Sequence, residues 1–341
     1  MNAFRSRLAR TPVLTFLALL AACSAGQQGP TGAFIPQVRA GAVAQPDTAA
    51  TMYVVSFPDD AILGFPASAD GNVTPSVKIA GSNTQINGAS VLAVDPASGK
   101  IYTANEYPDA RVLIFPKGAN GNVAPKVLGG SNVPIRNAGG MAVDSSGRLY
   151  VSDYTNKAVY VFAAGATGNV APIRTIGGSN TEMVEPSGLS FDSSSHLYVT
   201  NVRDSAAPIE EFAANADGNV APIATIGGSH VKIGGLYNVS LDPQNRIVCA
   251  YGGELKVFAA GAHGNVAPIA VIKGSATQLV DATTVGTSSN STIYATNLID
   301  IAHGKASIVE FASGANGNVA PVRVIAGSHT DVFDTWFPSF F

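Results

Sequence analysis

Short hydrophobic runs recur along the chain with a period of about 50 residues. The tripeptide Gly-Asn-Val marks every period. A proline follows two residues after each valine. The six copies begin at Gly71, Gly121, Gly168, Gly218, Gly264 and Gly317. Repeats of this length indicate an architecture in which one small supersecondary unit is copied and stacked against its neighbours.

Each repeat contains four runs rich in β-branched and aromatic residues. In one copy they cover residues 140–144, 149–153, 159–162 and 172–176. The runs are separated by Gly, Asn, Asp and Ser, which is typical of strands joined by tight turns. Proline at the start of the fourth run suits an outer edge strand, where a missing backbone donor costs little. No helical pattern longer than one turn follows residue 50, so the sequence predicts an all-β fold.

The number of runs predicts how the repeats close into a ring. The second, third and fourth runs occur six times, starting at residues 52–56, whereas the first run occurs only five times before the C-terminus. Residues 337–341 lie as far from Gly327 as the end of a first run lies from Gly178, so they are the expected sixth copy. Their pairing with residues 52–56 would complete the first repeat and remove the exposed sheet edges. We therefore predict a six-bladed β-propeller of four-stranded blades over residues 51–341, closed by the C-terminal strand.

The N-terminal residues 1–22 have the pattern of an export signal. Three arginines precede the apolar residues 13–22, a stretch too short to span a bilayer core of about 30 Å. The stretch ends in Leu20-Ala21-Ala22-Cys23, which resembles the lipobox of bacterial lipoproteins. This resemblance implies lipidation of Cys23 and a chain anchored in the cell envelope, either facing the periplasm or at the cell surface. The alternative is an ordinary signal peptide followed by a coincidental cysteine.

Residues 23–50 are rich in Ala, Gly, Gln and Pro without periodicity, which predicts a flexible tether.

The net charge of −3 becomes −6 if the leader with its three arginines is removed. No basic stripe remains, so nucleic acid is an unsuitable partner and membrane contact is expected through the lipid alone. If Cys23 carries lipid, Cys249 has no disulfide partner, and its apolar run predicts a small buried side chain.

The second runs carry a recognisable signature. Tyr198-Val199-Thr200-Asn201 has it in full, and the copies that begin at Tyr150 and Tyr294 are close to it, whereas Val248-Cys249-Ala250-Tyr251 departs from it. These runs resemble those of NHL-repeat propellers and of surface propellers with a Tyr-Val-Thr-Asn motif. The resemblance covers about residues 51–341. It implies the fold but not one function, because this architecture hosts binding platforms, lyases and lactone hydrolases.

Several residue types recur once per repeat and have structural interpretations. A phenylalanine closes each third run, which predicts packing between blades. Acids end the first runs, where they are expected to accept backbone hydrogen bonds in tight turns. Polar residues that end the second runs are expected to cap a loop or, alternatively, to face the central funnel. These three sets are Phe65, Phe115, Phe162, Phe212, Phe258 and Phe311; Asp95, Asp144, Asp192 and Asp242; and Asn105, Asp153, Asn201 and Asn297.

One set of residues predicts a metal site. In propellers of this kind the loop from the fourth strand to the next blade descends toward the axis. The residue seven positions after each Gly-Ser glycine is, in turn, Gly88, Asn137, Glu185, Gly235, Asp281 and Asp334. Three carboxylates and one amide at a similar radius would suit a hard cation such as Ca²⁺. The alternative is a set of solvated acids too far apart to share an ion.

Catalytic motifs are scarce in this sequence. It contains no Gly-x-Ser-x-Gly elbow, no His-Glu-x-x-His and no phosphate-binding glycine loop, and its five histidines are scattered, with His196 in a turn. These observations favour a non-catalytic, lipid-anchored propeller that presents a binding face to a protein or a small-molecule ligand. The alternative function is a metal-dependent, lactonase-like hydrolase with a divalent ion in the central funnel.

Overall fold

The computed structural model describes residues 50–57, 59–105, 110–202, 208–300, 305–333 and 335–340. The leader, Cys23 and nearly all of the predicted tether lie outside these residues. In chain order the strands are β1 (Thr51–Ser56), β2 (Ala61–Pro66), β3 (Val77–Ile79), β4 (Val91–Val94), β5 (Ile101–Ala104), β6 (Val112–Phe115), β7 (Lys126–Leu128), β8 (Ala138–Val143), β9 (Leu149–Asp153), β10 (Ala158–Phe162), β11 (Arg174–Gly177), β12 (Pro186–Phe191), β13 (Leu197–Asn201), β14 (Ile209–Phe212), β15 (Ala224–Ile226), β16 (Val239–Leu241), β17 (Ile247–Tyr251), β18 (Glu254–Phe258), β19 (Ala270–Lys273), β20 (Asp281–Thr287), β21 (Ile293–Asp300), β22 (Lys305–Phe311), β23 (Arg323–Ile325) and β24 (Thr335–Phe340).

These strands form six antiparallel sheets of four strands, as the repeats predict. Blade one has the order β24-β1-β2-β3, and blades two to six follow as β4–β7, β8–β11, β12–β15, β16–β19 and β20–β23. The C-terminal strand pairs antiparallel with β1, as predicted, with Met52 opposite Phe340 and Ser56 opposite Thr335. The six-bladed, all-β prediction and its closure by the C-terminal strand are therefore confirmed.

The first strands of the blades (β24, β4, β8, β12, β16 and β20) contact one another in a ring around the axis. Neighbouring first strands come close enough for backbone hydrogen bonding, since Gly188 N donates to Tyr237 O at 2.8 Å. A Cβ at Gly188 would lie 2.5 Å from the Cα of Asn238 in the next blade. The small residue therefore sets how closely blades four and five approach at the axis.

The Gly-Asn-Val tripeptides join the blades at the outer side of the ring. Each glycine forms a parallel bridge with the fourth strand of the preceding blade, and the pair Gly71–Ile325 joins blade one to blade six. Each asparagine Oδ1 also accepts a backbone N–H from the Gly-Ser turn of the preceding blade, at 2.7 Å in all six copies. The repeated motif is thus an inter-blade clasp, a role that the sequence pattern did not reveal.

The Gly178 clasp shows why the turn needs glycine. Gly178 has φ 124° and ψ 176°, a region essentially restricted to glycine. A Cβ there would lie 2.5 Å from Cγ of Asn219, the clasp residue of the next blade. The backbone conformation and the packed asparagine therefore exclude a side chain at this position independently of each other.

The core lies between neighbouring blades. The six periodic phenylalanines have no exposed surface, and Phe212 of blade four packs in one cluster with Tyr150 and Val159 of blade three. The predicted role of the phenylalanines in inter-blade packing is confirmed.

The fourth strands begin after the repeat prolines rather than at them, so β11 starts at Arg174 and not at Pro172. No helix of the described residues is long and apolar enough to cross a membrane.

Candidate functional site

The ring has two ends that differ in chemistry. We call the entry face the end at which the first strand of each blade begins and the second strand ends. The turn face is the opposite end, where tight turns connect the first and second strands. Antiparallel pairing places these two sets of residues at opposite ends of every blade.

The predicted metal ligands Asn137, Glu185 and Asp281 lie on the entry face at equivalent positions. Asn137 and Glu185 immediately precede β8 and β12, and Asp281 begins β20. The carbonyl oxygens of Asn137 and Glu185 accept hydrogen bonds from Tyr154 N and Val202 N, at 2.9 and 3.1 Å. These three residues therefore occupy the same position in their blades, as expected from the spacing of seven residues after each Gly-Ser glycine.

Equivalence alone does not make these residues a metal site. Glu185 and Asp281 belong to blades four and six, which are not adjacent, and Asp334 lies outside the described residues. Burial raises the pKa of the half-buried Asp281 carboxyl. Among the described residues, the set of three potential ligands that do converge lies elsewhere, on the turn face. The axial calcium site remains a prediction.

The polar residues that end the second strands hold the entry-face loops. Asn105, Asp153, Asn201 and Asn297 are buried, and each side chain accepts a backbone N–H from the loop that leads into its own blade, at 2.7–3.0 Å. The loop-capping interpretation is correct, and the burial of these side chains excludes the funnel-facing alternative. Blade five departs from the pattern because Tyr251 occupies this position and is 42% exposed.

The entry face also carries an apolar patch on one side of the ring. Tyr251 lies against Gly234, and a Cβ at Gly253 would lie 3.2 Å from Val280 O of blade six. Two further exposed side chains lie on this side of the ring. Ile299 is near the end of β21, and Phe333 forms an antiparallel bridge with Lys305. We define the entry-face patch as Tyr237, Tyr251, Val280, Ile299 and Phe333, each of which is more than a third exposed.

The other exposed large hydrophobic side chains are distributed differently. Four of them occupy one repeat position at the outer rim, where each backbone N–H continues the ladder to the third strand of the same blade. These residues are Ile173, Ile223, Ile269 and Val322. Because they recur from blade to blade, they reflect the repeat. Among the described residues, the exposed large apolar side chains of the entry face lie in blades five, six and one.

On the turn face the predicted Asp turns are confirmed. Ala97 N, Ser146 N, Ser194 N and Gln244 N each donate to the carboxylate that ends the first strand of their blade, at 2.8–3.0 Å. In blades three and five an arginine four residues later also contacts this carboxylate. Arg148 Nε lies 2.6 Å from Asp144 Oδ2, and Arg246 Nη2 lies 2.6 Å from Asp242 Oδ2.

Blade four has a different arrangement at this turn. His196 occupies the arginine position, and its Nδ1 lies 3.2 Å from Asp192 Oδ2 and 2.9 Å from Glu211 Oε1. The three ligand atoms lie within 4.8 Å of one another. Sequence reasoning missed this cluster because Glu211 lies on β14, opposite Tyr198, and only the strand register brings it to the turn.

A groove of about 370 Å³ lies beside this cluster on the turn face. It is bordered by the turns of blades four, five and six, including Asp192, Asp242 and Ser288. Asn245 connects two of these turns, since its Oδ1 accepts from Ser193 N at 2.9 Å and its Nδ2 donates to Ser193 Oγ at 2.7 Å. The turn that carries Asp192 is therefore held in place by the neighbouring blade.

Cys249 is fully buried in β17, as its apolar run predicts, and burial raises the pKa of its thiol to about 12. At neutral pH the thiol is protonated and unreactive. Cys249 is thus a small core side chain rather than a nucleophile.

These features define a six-bladed β-propeller, and similarity to solved structures supports the same class. The chain is similar to a propeller in a crystal structure of a nidogen/laminin complex, with TM-score 0.61, 13% identity and coverage of 85% of this chain and 98% of that chain. It is also similar to a protein of unknown function from Bacteroides caccae, with TM-score 0.60, 9% identity and coverage of 86% and 98%. At these identities the likeness shows the fold alone. No family model matches the chain, and no curated protein matches it.

Proposed function

We propose that this chain is a non-catalytic, NHL-type propeller, lipid-anchored in the cell envelope, that presents its entry face to a protein partner. The observation that carries the proposal is the entry-face patch. Exposed apolar side chains that gather on one side of a folded domain, away from the repeat pattern, are typical of an interaction surface. Its two tyrosines are of a residue type enriched at the centres of protein interfaces.

The departure of blade five from the second-run signature supports this interpretation. Where blades two, three, four and six have a buried Asn or Asp that holds a loop, Tyr251 is exposed. Replacing a loop-capping residue by an exposed aromatic side chain removes hydrogen bonds and adds apolar surface in water. Contact with a partner would offset both costs, since each Å² of apolar surface removed from water contributes about 25 cal/mol.

Two further observations support the remaining parts of the proposal. Leu20-Ala21-Ala22-Cys23 supports the lipid anchor, and Tyr198-Val199-Thr200-Asn201 supports the NHL-type assignment. A related architecture in a nidogen/laminin complex agrees with a role in protein binding.

Photo-crosslinking in intact cells tests the binding face. A photoreactive residue at position 251 should form a discrete covalent adduct with the partner. The matched control is position 223, which is at least as accessible, at 53% against 42% exposed, but lies on the rim. Val280→Asn combined with Ile299→Asn should abolish the adduct at position 251, because the patch would lose two apolar contacts. The same adducts from both positions, or an adduct that survives the double substitution, would contradict the proposal.

A further inference from the structure

The cluster on the turn face of blade four differs from its sister blades in charge. In blades three and five the turn carboxylate is neutralised by Arg148 or Arg246. In blade four the corresponding residue is His196, which offers an imidazole nitrogen in place of a guanidinium. The same turn also receives a second carboxylate, from Glu211.

Comparison with blade six shows that Glu211 lacks the cross-strand cation of its counterpart. Glu310 occupies the equivalent position in blade six, and Arg323 Nη1 lies 2.7 Å from both of its carboxylate oxygens. Arg323 stands directly opposite Glu310 on β23, whereas Ala224 stands opposite Glu211 on β15. Blade four therefore brings two carboxylates to one imidazole at a place where blades three and five provide an arginine.

We infer that Asp192, His196 and Glu211 form a binding site for a divalent transition cation, with zinc the best match. Zinc binds nitrogen and carboxylate oxygen ligands at about 2.0–2.1 Å in tetrahedral geometry, which places ligand atoms about 3.3 Å apart. The Nδ1 of His196 lies 3.2 and 2.9 Å from the two carboxylate oxygens. The two carboxylate oxygens lie within 4.8 Å of each other, so a cation that replaces the Nδ1 proton would draw the three ligand atoms together.

The contacts around the cluster hold the ligands in this arrangement. Asp192 uses Oδ1 to accept Ser194 N and His196 N, both at 2.8 Å, which leaves Oδ2 facing the imidazole. The Tyr198 hydroxyl donates to Glu211, and burial and this carboxylate raise the pKa of the phenol well above its usual value. Partners of this kind orient metal ligands and are typical of built sites.

The donor set selects among cations. An imidazole nitrogen with two carboxylates favours zinc over the oxygen-preferring Ca²⁺ and Mg²⁺. Three protein ligands leave one tetrahedral position for water or for a ligand atom, as in zinc sites that remain open. This site lies on the turn face, at the end of the ring opposite the entry-face patch.

Titration calorimetry of the full-length chain with zinc chloride tests the site. Wild-type protein should bind one equivalent, and calcium chloride should not compete. His196→Arg, which restores the residue of blades three and five, and Glu211→Gln should each weaken binding at least tenfold. The matched control is His230→Asn, since asparagine occupies that repeat position in blades one to three, and it should leave binding unchanged.

Cobalt spectroscopy provides the second measurement. Cobalt bound to wild-type protein should give the visible bands of a four-coordinate ion, and zinc should displace it. Loss of those bands in Glu211→Gln, with the thermal unfolding of the metal-free protein unchanged, supports the site. No stoichiometric zinc binding by the wild type, or equal binding by His196→Arg, would overturn the inference.

Discussion

The clasp between blades three and four packs Asn219 against the turn at Gly178. The substitution Gly178→Ala should destabilise the propeller by two separable effects. Gly178 has φ 124° and ψ 176°, and an added Cβ would lie 2.5 Å from Asn219 Cγ. The alanine must therefore adopt a backbone conformation that side chains avoid. It must also displace Asn219, which accepts Asn180 N at 2.7 Å.

The magnitudes of the two effects follow from the local geometry. Strain in a region of φ and ψ reserved for glycine costs about 1–3 kcal/mol. Loss of the Asn219 hydrogen bond adds about 0.5–1.5 kcal/mol. Asn219→Ala alone removes only the hydrogen bond. In the double variant the hydrogen bond is already absent, so the combined cost should be smaller than the sum of the single costs by about 0.5–1.5 kcal/mol.

Urea unfolding of the four proteins in this double-mutant cycle measures the free energy of unfolding. Gly165→Ala is the matched control, because Gly165 also has positive φ, at 72°, but a Cβ there meets nothing within 4 Å. Its cost should add to that of Asn219→Ala without coupling. Additive costs for Gly178→Ala and Asn219→Ala would refute the clasp as the reason for glycine at this position.

Three further predictions concern the anchor, the closure and the axis. Cys23→Ala should release the protein from membranes or stall its processing, because each buried acyl methylene contributes about 0.8 kcal/mol to attachment; an N-terminal fragment of the wild type without lipid mass contradicts this. Deletion of residues 337–341 removes most of β24 and exposes the flank of β1. We expect aggregation or severe loss of stability, and an unchanged Tm would show that ring closure does not need this strand. Calcium calorimetry should show binding that Asp281→Ala or Asp334→Ala abolishes, and wild-type protein that binds no calcium would exclude the axial site.

The blade count, the closure and the roles of the periodic Phe and Asp residues could be predicted from the sequence, whereas the role of the Gly-Asn-Val clasp could not. Strands are predicted from the local alternation of apolar and polar residues and from the turn residues between them, and each blade repeats this local pattern. The Asp turns are also local, since Asp192 contacts backbone only two and four residues ahead. These features need no knowledge of which blade lies beside which.

What only the tertiary structure decided involves residues from different strands or blades. Asn219 contacts a turn 39 residues earlier, and Glu211 reaches His196 through the register of β13 and β14. The exposure of Tyr251 depends on the neighbouring loops of blades five and six rather than on its own strand pattern. A one-residue change of register moves a side chain to the opposite face of its sheet, so such contacts cannot be predicted from spacing alone.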